Sequence, residues 1–304
     1  MENKITYLEF LELCAGLAKE LYPGELHTEI CGTTKNNGVQ VWGILFKRPN
    51  EPIAPNFYLE TYYREWCCGR MTVEEVTKGM LEAYEEEYEK NRRIADELSF
   101  EWEKFKHQVY VRLIGRDRNA ELLAKIPHDE FLDMAQVYHY VIPVSEDTSG
   151  VLVITEEHLQ ALKITKEELR EAAMANTMRD MGPVLTGMNE MLERLGKRLG
   201  IPVGRESIQN YMYVLGNASG NYGAVSMLFS EELERISNEM QSGFYILPSS
   251  VHELILVPDD GNIPTEVFSE MVQSVNATQV EETEVLTDSV YYYDKEMHVV
   301  RRIA

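Results

Sequence analysis

Ser249, Ser250, His252 and Glu253 form the densest group of chemically useful side chains in the chain. They lie in Pro248-Ser249-Ser250-Val251-His252-Glu253, a polar knot between two apolar runs within Phe244–Asp259. A hydroxyl, an imidazole and a carboxylate are the parts of a hydrolase: a nucleophile, its base, and the acid that orients the base. Strand geometry opposes a self-contained set, because neighbouring side chains on a strand point to opposite faces. His252 would share a face with Ser250 and Leu254, and Glu253 with Val251 and Ile255, so a third residue from elsewhere would have to orient the imidazole. The competing reading, which these residue types favour, is a Pro-Ser-Ser turn whose hydroxyls bond turn backbone, with His252 a satisfied histidine at the core edge. His128, in Ile126-Pro127-His128-Asp129, is a further candidate ligand or base. Its simpler reading is a loop histidine beside a helix N-cap.

Other motifs fall short. Gly182-Pro183-Val184-Leu185-Thr186-Gly187 has the glycine spacing of a phosphate loop, but Met188-Asn189 stands where Lys and Ser/Thr must be. Gly216, Gly220 and Gly223 lack the dinucleotide-loop spacing and read as a hairpin loop. HExxH and GxSxG are absent. The four cysteines, Cys14, Cys31, Cys67 and Cys68, form no CxxC pair and have no histidine at ligand spacing. Cys14 falls on the apolar stripe of a helix and reads as a small buried hydrophobe. The block Glu82, Glu85, Glu86, Glu87 and Glu89 could attract a divalent cation, but reads as a solvated helix face. Tyr291-Tyr292-Tyr293 could stack bases on a basic surface; in acidic surroundings it reads as sheet packing. No cofactor and no metal is expected.

The elements that must position these residues are legible from pattern. Thr6 with Glu9, Thr72 with Glu75 and Thr165 with Glu168 are capping boxes that open three helices. Phe10, Leu11, Cys14, Leu17, Ala18 and Leu21 form one apolar face of the first. Asn36-Asn37-Gly38 predicts a turn between strands Glu25–Thr34 and Val39–Lys47, with a short strand at Asn56–Leu59. A strand over His107–Ile114, a short helix over Asn119–Lys125, an apolar run over Phe131–Val144 and a buried strand over Val151–Ile154 follow. Strands are expected at Ile208–Leu215 and Tyr222–Phe229, then a helix capped by Ser230. The Phe244–Asp259 hairpin, a helix opened by Pro264-Thr265 and a terminal hairpin over Val290–Tyr293 and His298–Arg302 complete the chain. Strand pairs separated by helices imply an α+β fold, mostly antiparallel sheets with helices packed on one side, in two subdomains. The expected division is 1–145 and 146–304, with a helical insertion near 178–206 marked by Met188, Met191, Leu192, Leu195 and Leu199.

Length and composition (304 residues, 44% hydrophobic, 26% charged) describe a globular protein with a real core. No segment approaches the roughly 20 apolar residues that span a bilayer. The opening residues lack a basic region followed by an apolar one, so a cytoplasmic location is expected. Formal net charge is −22, and residues 236–294 hold eleven acidic and no basic side chains. Such a surface repels nucleic-acid phosphates and anionic lipids, which disfavours direct nucleic-acid or membrane binding. It suits a basic protein partner, including a nucleic-acid-binding protein.

Several pieces together resemble an uncharacterised bacterial family, domain of unknown function 5688, typical of gut Clostridia and other Firmicutes and found near mobile elements. They are Lys35-Asn36-Asn37-Gly38-Val39, Ile126-Pro127-His128 followed by Phe131-Leu132-Asp133, and Thr165–Thr177. Tyr213-Val214-Leu215 with Tyr222-Gly223-Ala224, Tyr245–Asp259 and Ser289–Asp294 complete the set. The resemblance covers nearly the whole chain and implies no activity. The middle portion is also loosely similar to a second uncharacterised Firmicutes family, which implies a shared C-terminal module. Three functions stay open: a non-enzymatic protein-binding module with an acidic surface, a hydrolase-like or small-molecule-binding enzyme using Ser249–Glu253, and a structural accessory of a mobile element.

Overall fold

The computed structural model describes residues 5–49, 51, 54–97, 100–143, 149–191, 193, 212–261 and 263–304. The chain divides into two compact units. The first comprises residues 1–35, 39–99 and 142–150; the second comprises 36–38, 100–141 and 151–304. A cut at residue 145 differs chiefly in where it puts residues 100–141, which carry three strands of one sheet, the third running on to Pro143.

In the first unit, α1 (Tyr7–Leu21) opens with the expected capping box. The Thr6 backbone N–H donates to Glu9 Oε2 at 2.7 Å, and the Glu9 N–H donates to Thr6 Oγ1 at 3.3 Å. Such a cap is worth about 1 kcal/mol. The face it orients, Phe10, Leu11, Cys14 and Ala18, is fully buried. β1 (His27–Thr34) and β2 (Gln40–Lys47) pair antiparallel from His27 opposite Lys47 to Thr34 opposite Gln40. Asn37 (φ 61°) and Gly38 (φ 73°) supply the left-handed turn that Asn-Gly predicts. β3 (Asn56–Tyr58) adds the third strand. After α2 (Glu60–Cys67), α3 (Val73–Glu97) opens with the Thr72–Glu75 box and turns Val76, Met80 and Tyr84 onto the same core as Phe10, Ile44 and Phe46.

The second unit holds two sheets. β4 (Val109–Gly115), β6 (Met134–Pro143) and β5 (His128–Phe131) lie in that order, and β7 (Ser149–Val153) also pairs with β6. α4 (Trp102–Phe105), α5 (Ala120–Leu123) and α6 (Glu156–Leu162) are short. α7 (Lys166–Asp180) is tied to β4 by side chains: Thr177 Oγ1 accepts from the Val111 N–H at 3.1 Å, and Asn176 Nδ2 donates to the Val109 carbonyl at 2.9 Å. The larger sheet has six strands. β8 (Pro183–Gly187) and β9 (Tyr213–Asn217) form one side, β10 (Phe244–Pro248) and β11 (Leu254–Pro258) the centre, and β12 (Tyr291–Asp294) and β13 (Val299–Arg302) the far edge. Central strands buried on both faces read as continuous apolar runs, as Phe244–Pro248 and Leu254–Pro258 do. One face (Phe244, Ile246, Leu254, Leu256) packs with Leu233 and Ile236 of α8 (Ser230–Met240). The other (Leu247, Val257) packs with Phe268 and Val272 of α9 (Thr265–Thr278). The α+β class with antiparallel sheets is as the sequence predicts.

Four local expectations are corrected. Tyr222–Phe229 is no strand: Gly223–Leu228 is a 3-10 helix entered through Tyr222 at φ 54°. Its run of apolar residues has no period that separates a buried strand from a buried turn of helix. Part of the expected 178–206 insertion, Pro183–Gly187, is an edge strand paired with β9; residue 192 and residues 194–211 lie outside the described residues. Phe131–Val144 is broken at Leu132 (φ 58°) into a hairpin, so its first residue belongs to β5. Ser230 does not cap its helix; it is the first helical residue, after Phe229.

Candidate functional site

The hairpin tip resolves into a turn built from its own serines. The N–H groups of Ser249 and Ser250 both donate to the Glu253 carbonyl at 3.2 Å, and Ser250 Oγ accepts from the His252 N–H at 3.0 Å. Ser249 Oγ reaches Glu253 Oε1 at 3.4 Å. Ser250 is thus occupied by the backbone of the histidine that would have to activate it. Among the described residues no hydrogen bond joins either hydroxyl to the imidazole. Val251 is buried and donates its N–H to the Glu284 carbonyl at 2.8 Å, which fastens the tip to the segment before β12.

His252 is engaged at both nitrogens. Its Nδ1 accepts from the Tyr222 N–H at 3.1 Å, and its Nε2 faces Glu284 Oε1 at 3.5 Å. With Nδ1 taken as an acceptor, the neutral ring carries its proton on Nε2 and has no free lone pair for a general base. A carboxylate from elsewhere, Glu284, does face the imidazole, but it meets the nitrogen opposite the one held by Tyr222. His128 stands apart from this group, in β5 and not in a loop; its Nδ1 lies 3.0 Å from the Ile126 carbonyl.

The hairpin gathers two residues that sequence reasoning passed over. The Tyr222 ring lies 5.3 Å from the His252 ring, and the Arg112 guanidinium lies 3.5 Å from the centre of the Tyr222 ring on its other contact. The available signal was a lone arginine within the apolar run Val109–Gly115. Nearby on β6, His139 is only 8% exposed and its Nδ1 has no partner among the described residues. Burial, then the charge of Arg112, hold its pKa well below the ordinary histidine value.

A separate concavity lies in the first unit. A cleft of about 910 Å³ is walled by the end of α1 (Leu21, Tyr22), the loop after β2 (Arg48, Pro49) and α3 (Leu81, Glu82, Glu85, Glu86, Tyr88), with Glu25 at its rim. Arg48 pairs with Glu85 and lies 3.8 Å from the centre of the Tyr88 ring. Its backbone N–H donates to buried Glu51 at 2.7 Å, and Glu51 also accepts from the Tyr84 hydroxyl. The hydrogen bond from Arg48 holds the Glu85 carboxyl below its usual range, so it is ionised. With Arg48 paired to Glu85, the carboxylates Glu82 and Glu86 of α3 line the cleft with leucine, proline and tyrosine. A neighbouring cleft of about 530 Å³ shares Glu25, Arg48 and Pro49 with it and is lined as well by Lys19, His27 and Lys47, so the carboxylates free of a basic lining are those of α3. Among the described residues no group of three His, Cys, Asp or Glu is placed to hold a metal ion, and all four cysteines are free thiols.

A family model described as a family of unknown function, DUF5688, matches residues 7–295. The chain belongs to that family. No curated protein and no solved structure matches. The DUF5688 match takes in the hairpin, Arg112 and the acidic cleft alike, so the family spans both units and carries no reaction to lend to either place.

Proposed function

We propose that this chain is a non-enzymatic protein-binding module that captures a basic segment of a partner in the cleft between α1 and α3. The observation that carries the reading is the composition of that cleft: the α3 carboxylates Glu82 and Glu86 beside an apolar, aromatic floor, with Arg48 already paired to Glu85. Lysine and arginine suit such a surface, because their aliphatic stems cover apolar groups while their charged ends reach carboxylates. The net charge of −22 adds long-range attraction for a basic partner and repulsion of nucleic acid. A basic nucleic-acid-binding protein of a bacterial cytoplasm fits this charge. In keeping with that location, no described helix is long and apolar enough to cross a membrane. The hydrolase alternative loses support because Ser250 and both nitrogens of His252 are committed to structural bonds.

The test is fluorescence anisotropy with a lysine- and arginine-rich peptide and a glutamate-rich control. Binding of the basic peptide alone is expected. It should weaken steeply from about 0.1 M to about 1 M salt, as the screening length falls from about 10 Å to about 3 Å. Glu82→Gln/Glu86→Gln should weaken it further at low salt. Salt-insensitive binding, or binding unchanged in the double variant, would refute the proposal.

A further inference from the structure

Arg112 is an anomaly in an acidic protein. Arg116, Arg118, Arg179, Arg235, Arg301 and Arg302 of the same unit each lie within ion-pair distance of a carboxylate, and Arg170, which has no ion pair among the described residues either, is exposed to water. Arg112 is half-buried on β4 and has neither an ion pair nor a hydrogen bond among the described residues; its contact is the face of Tyr222. Burial without a carboxylate holds its pKa below the ordinary arginine value. An unpaired half-buried cation is costly, and the cost falls once an anion completes the pair.

We propose that Arg112 anchors an oxyanion-binding site in the second unit, taking a phosphate or carboxylate group on the edge of its guanidinium, with Tyr222 and His252 as positioning residues. This site is independent of the acidic cleft. The geometry favours an oxyanion because stacking on a ring occupies the guanidinium face and leaves its planar fork of N–H donors for two oxygens. The stack is itself held from behind. Tyr222 adopts a left-handed backbone at φ 54°, and its N–H is fixed by His252 Nδ1 at 3.1 Å. The β4–β6 register, Arg112 opposite Val137 and Tyr110 opposite His139, makes Arg112 and His139 diagonal neighbours on one face of the sheet. His139 Nδ1, buried and unpartnered among the described residues, adds a second unsatisfied polar atom on that face. Of the carboxylates near the site, Glu284 lies against His252 Nε2, away from the nitrogen that holds Tyr222, and Glu253 Oε1 accepts from Ser249 Oγ at 3.4 Å.

The test is isothermal titration calorimetry of the full chain with inorganic phosphate and with succinate. Both are taken to about 10 mM, which reaches dissociation constants near the weak millimolar limit. Binding of at least one is expected. Arg112→Lys keeps the charge and loses the fork, and should weaken binding at least about tenfold, the equivalent of one charge-assisted hydrogen bond. His252→Leu should weaken it as well, and His252→Asn, whose side-chain oxygen can accept from Tyr222, should restore it. That rescue also decides the matter if Arg112→Lys does not fold. Phosphate binding alone assigns a phosphorylated ligand, and succinate binding alone a carboxylate. No heat from either anion, or equal affinity in wild type and Arg112→Lys, would overturn the site.

Discussion

Tyr291, Tyr84 and His139 illustrate how the buried polar groups of this chain differ in their stakes. Tyr291 is fully buried, yet its hydroxyl meets Asp133 at 2.5 Å and Thr287 at 2.8 Å; Tyr84 donates to Glu51. Each replaces lost water with a defined partner, and the run Tyr291-Tyr292-Tyr293 therefore serves the sheet, with Tyr292 donating to Asp259 at 2.9 Å. His139 has no such partner at Nδ1, and burial together with Arg112 keeps it neutral. The unfolded chain takes up a proton near the ordinary value of 6.5 that the folded state refuses. Its contribution to stability is thus fully present above that pH and lost as pH falls below it. Urea midpoints measured from pH 7.5 down to pH 5 should fall more steeply in wild type than in His139→Phe. Parallel curves would show that His139 is not the titrating group.

At the scale of elements, the hairpin tip and the 3-10 helix Gly223–Leu228 form one packed unit. A Cβ at Gly223 would lie 2.5 Å from the His252 carbonyl oxygen, 2.8 Å from the Asn217 nitrogen and 2.8 Å from the Gly216 Cα, all backbone atoms that cannot step aside. Gly216, in β9, would place its Cβ no nearer than 3.7 Å to the His252 oxygen, an ordinary contact. Gly223→Ala is therefore expected to destabilise the protein by about 1–3 kcal/mol, the usual cost of overpacking. Gly216→Ala should change stability by less than about 1 kcal/mol in either direction. Chemical denaturation of the two variants side by side checks this, and equal midpoints would contradict the packing argument. The close approach also explains why Tyr222-Gly223-Ala224 and the Pro248–Glu253 tip, distant in sequence, behave as one feature.

For the molecule as a whole, charge is the dominant global property. Fifty-one acidic against 29 basic side chains leave −22, a net that local pairs such as Arg118–Asp288 at 2.8 Å do not alter. Self-repulsion of this size destabilises a compact state and is relieved by screening. The melting temperature should rise as salt increases from about 0.01 M to about 0.1 M, where the screening length shrinks from about 30 Å to about 10 Å. A fall would mean that surface ion pairs outweigh the net repulsion. The same field would add to the attraction of the basic partner proposed for the first unit's cleft, and it makes the unpaired Arg112 of the second unit conspicuous.

The sequence by itself determined what depends on near neighbours along the chain. Three capping boxes, the left-handed Asn37-Gly38 turn and the doubly buried Phe244–Asp259 hairpin follow from residue type and spacing within a few positions. Membership of DUF5688 was legible for the same reason, being carried by short local strings. The tertiary structure alone decided what depends on partners far along the chain. Pro183–Gly187 is a strand because β9 pairs with it, and Gly223–Leu228 is not one because backbone from the hairpin tip lies against Gly223. His252 Nδ1 accepts from the Tyr222 N–H, a partner 30 positions away that no local pattern announces. Arg112 gains meaning from a ring 110 positions away, and the acidic cleft from a helix end, a loop and a second helix that no local pattern brings together. Local signals fix backbone conformation through short-range sterics and hydrogen bonds, whereas a site is a meeting of side chains that only the folded core enforces.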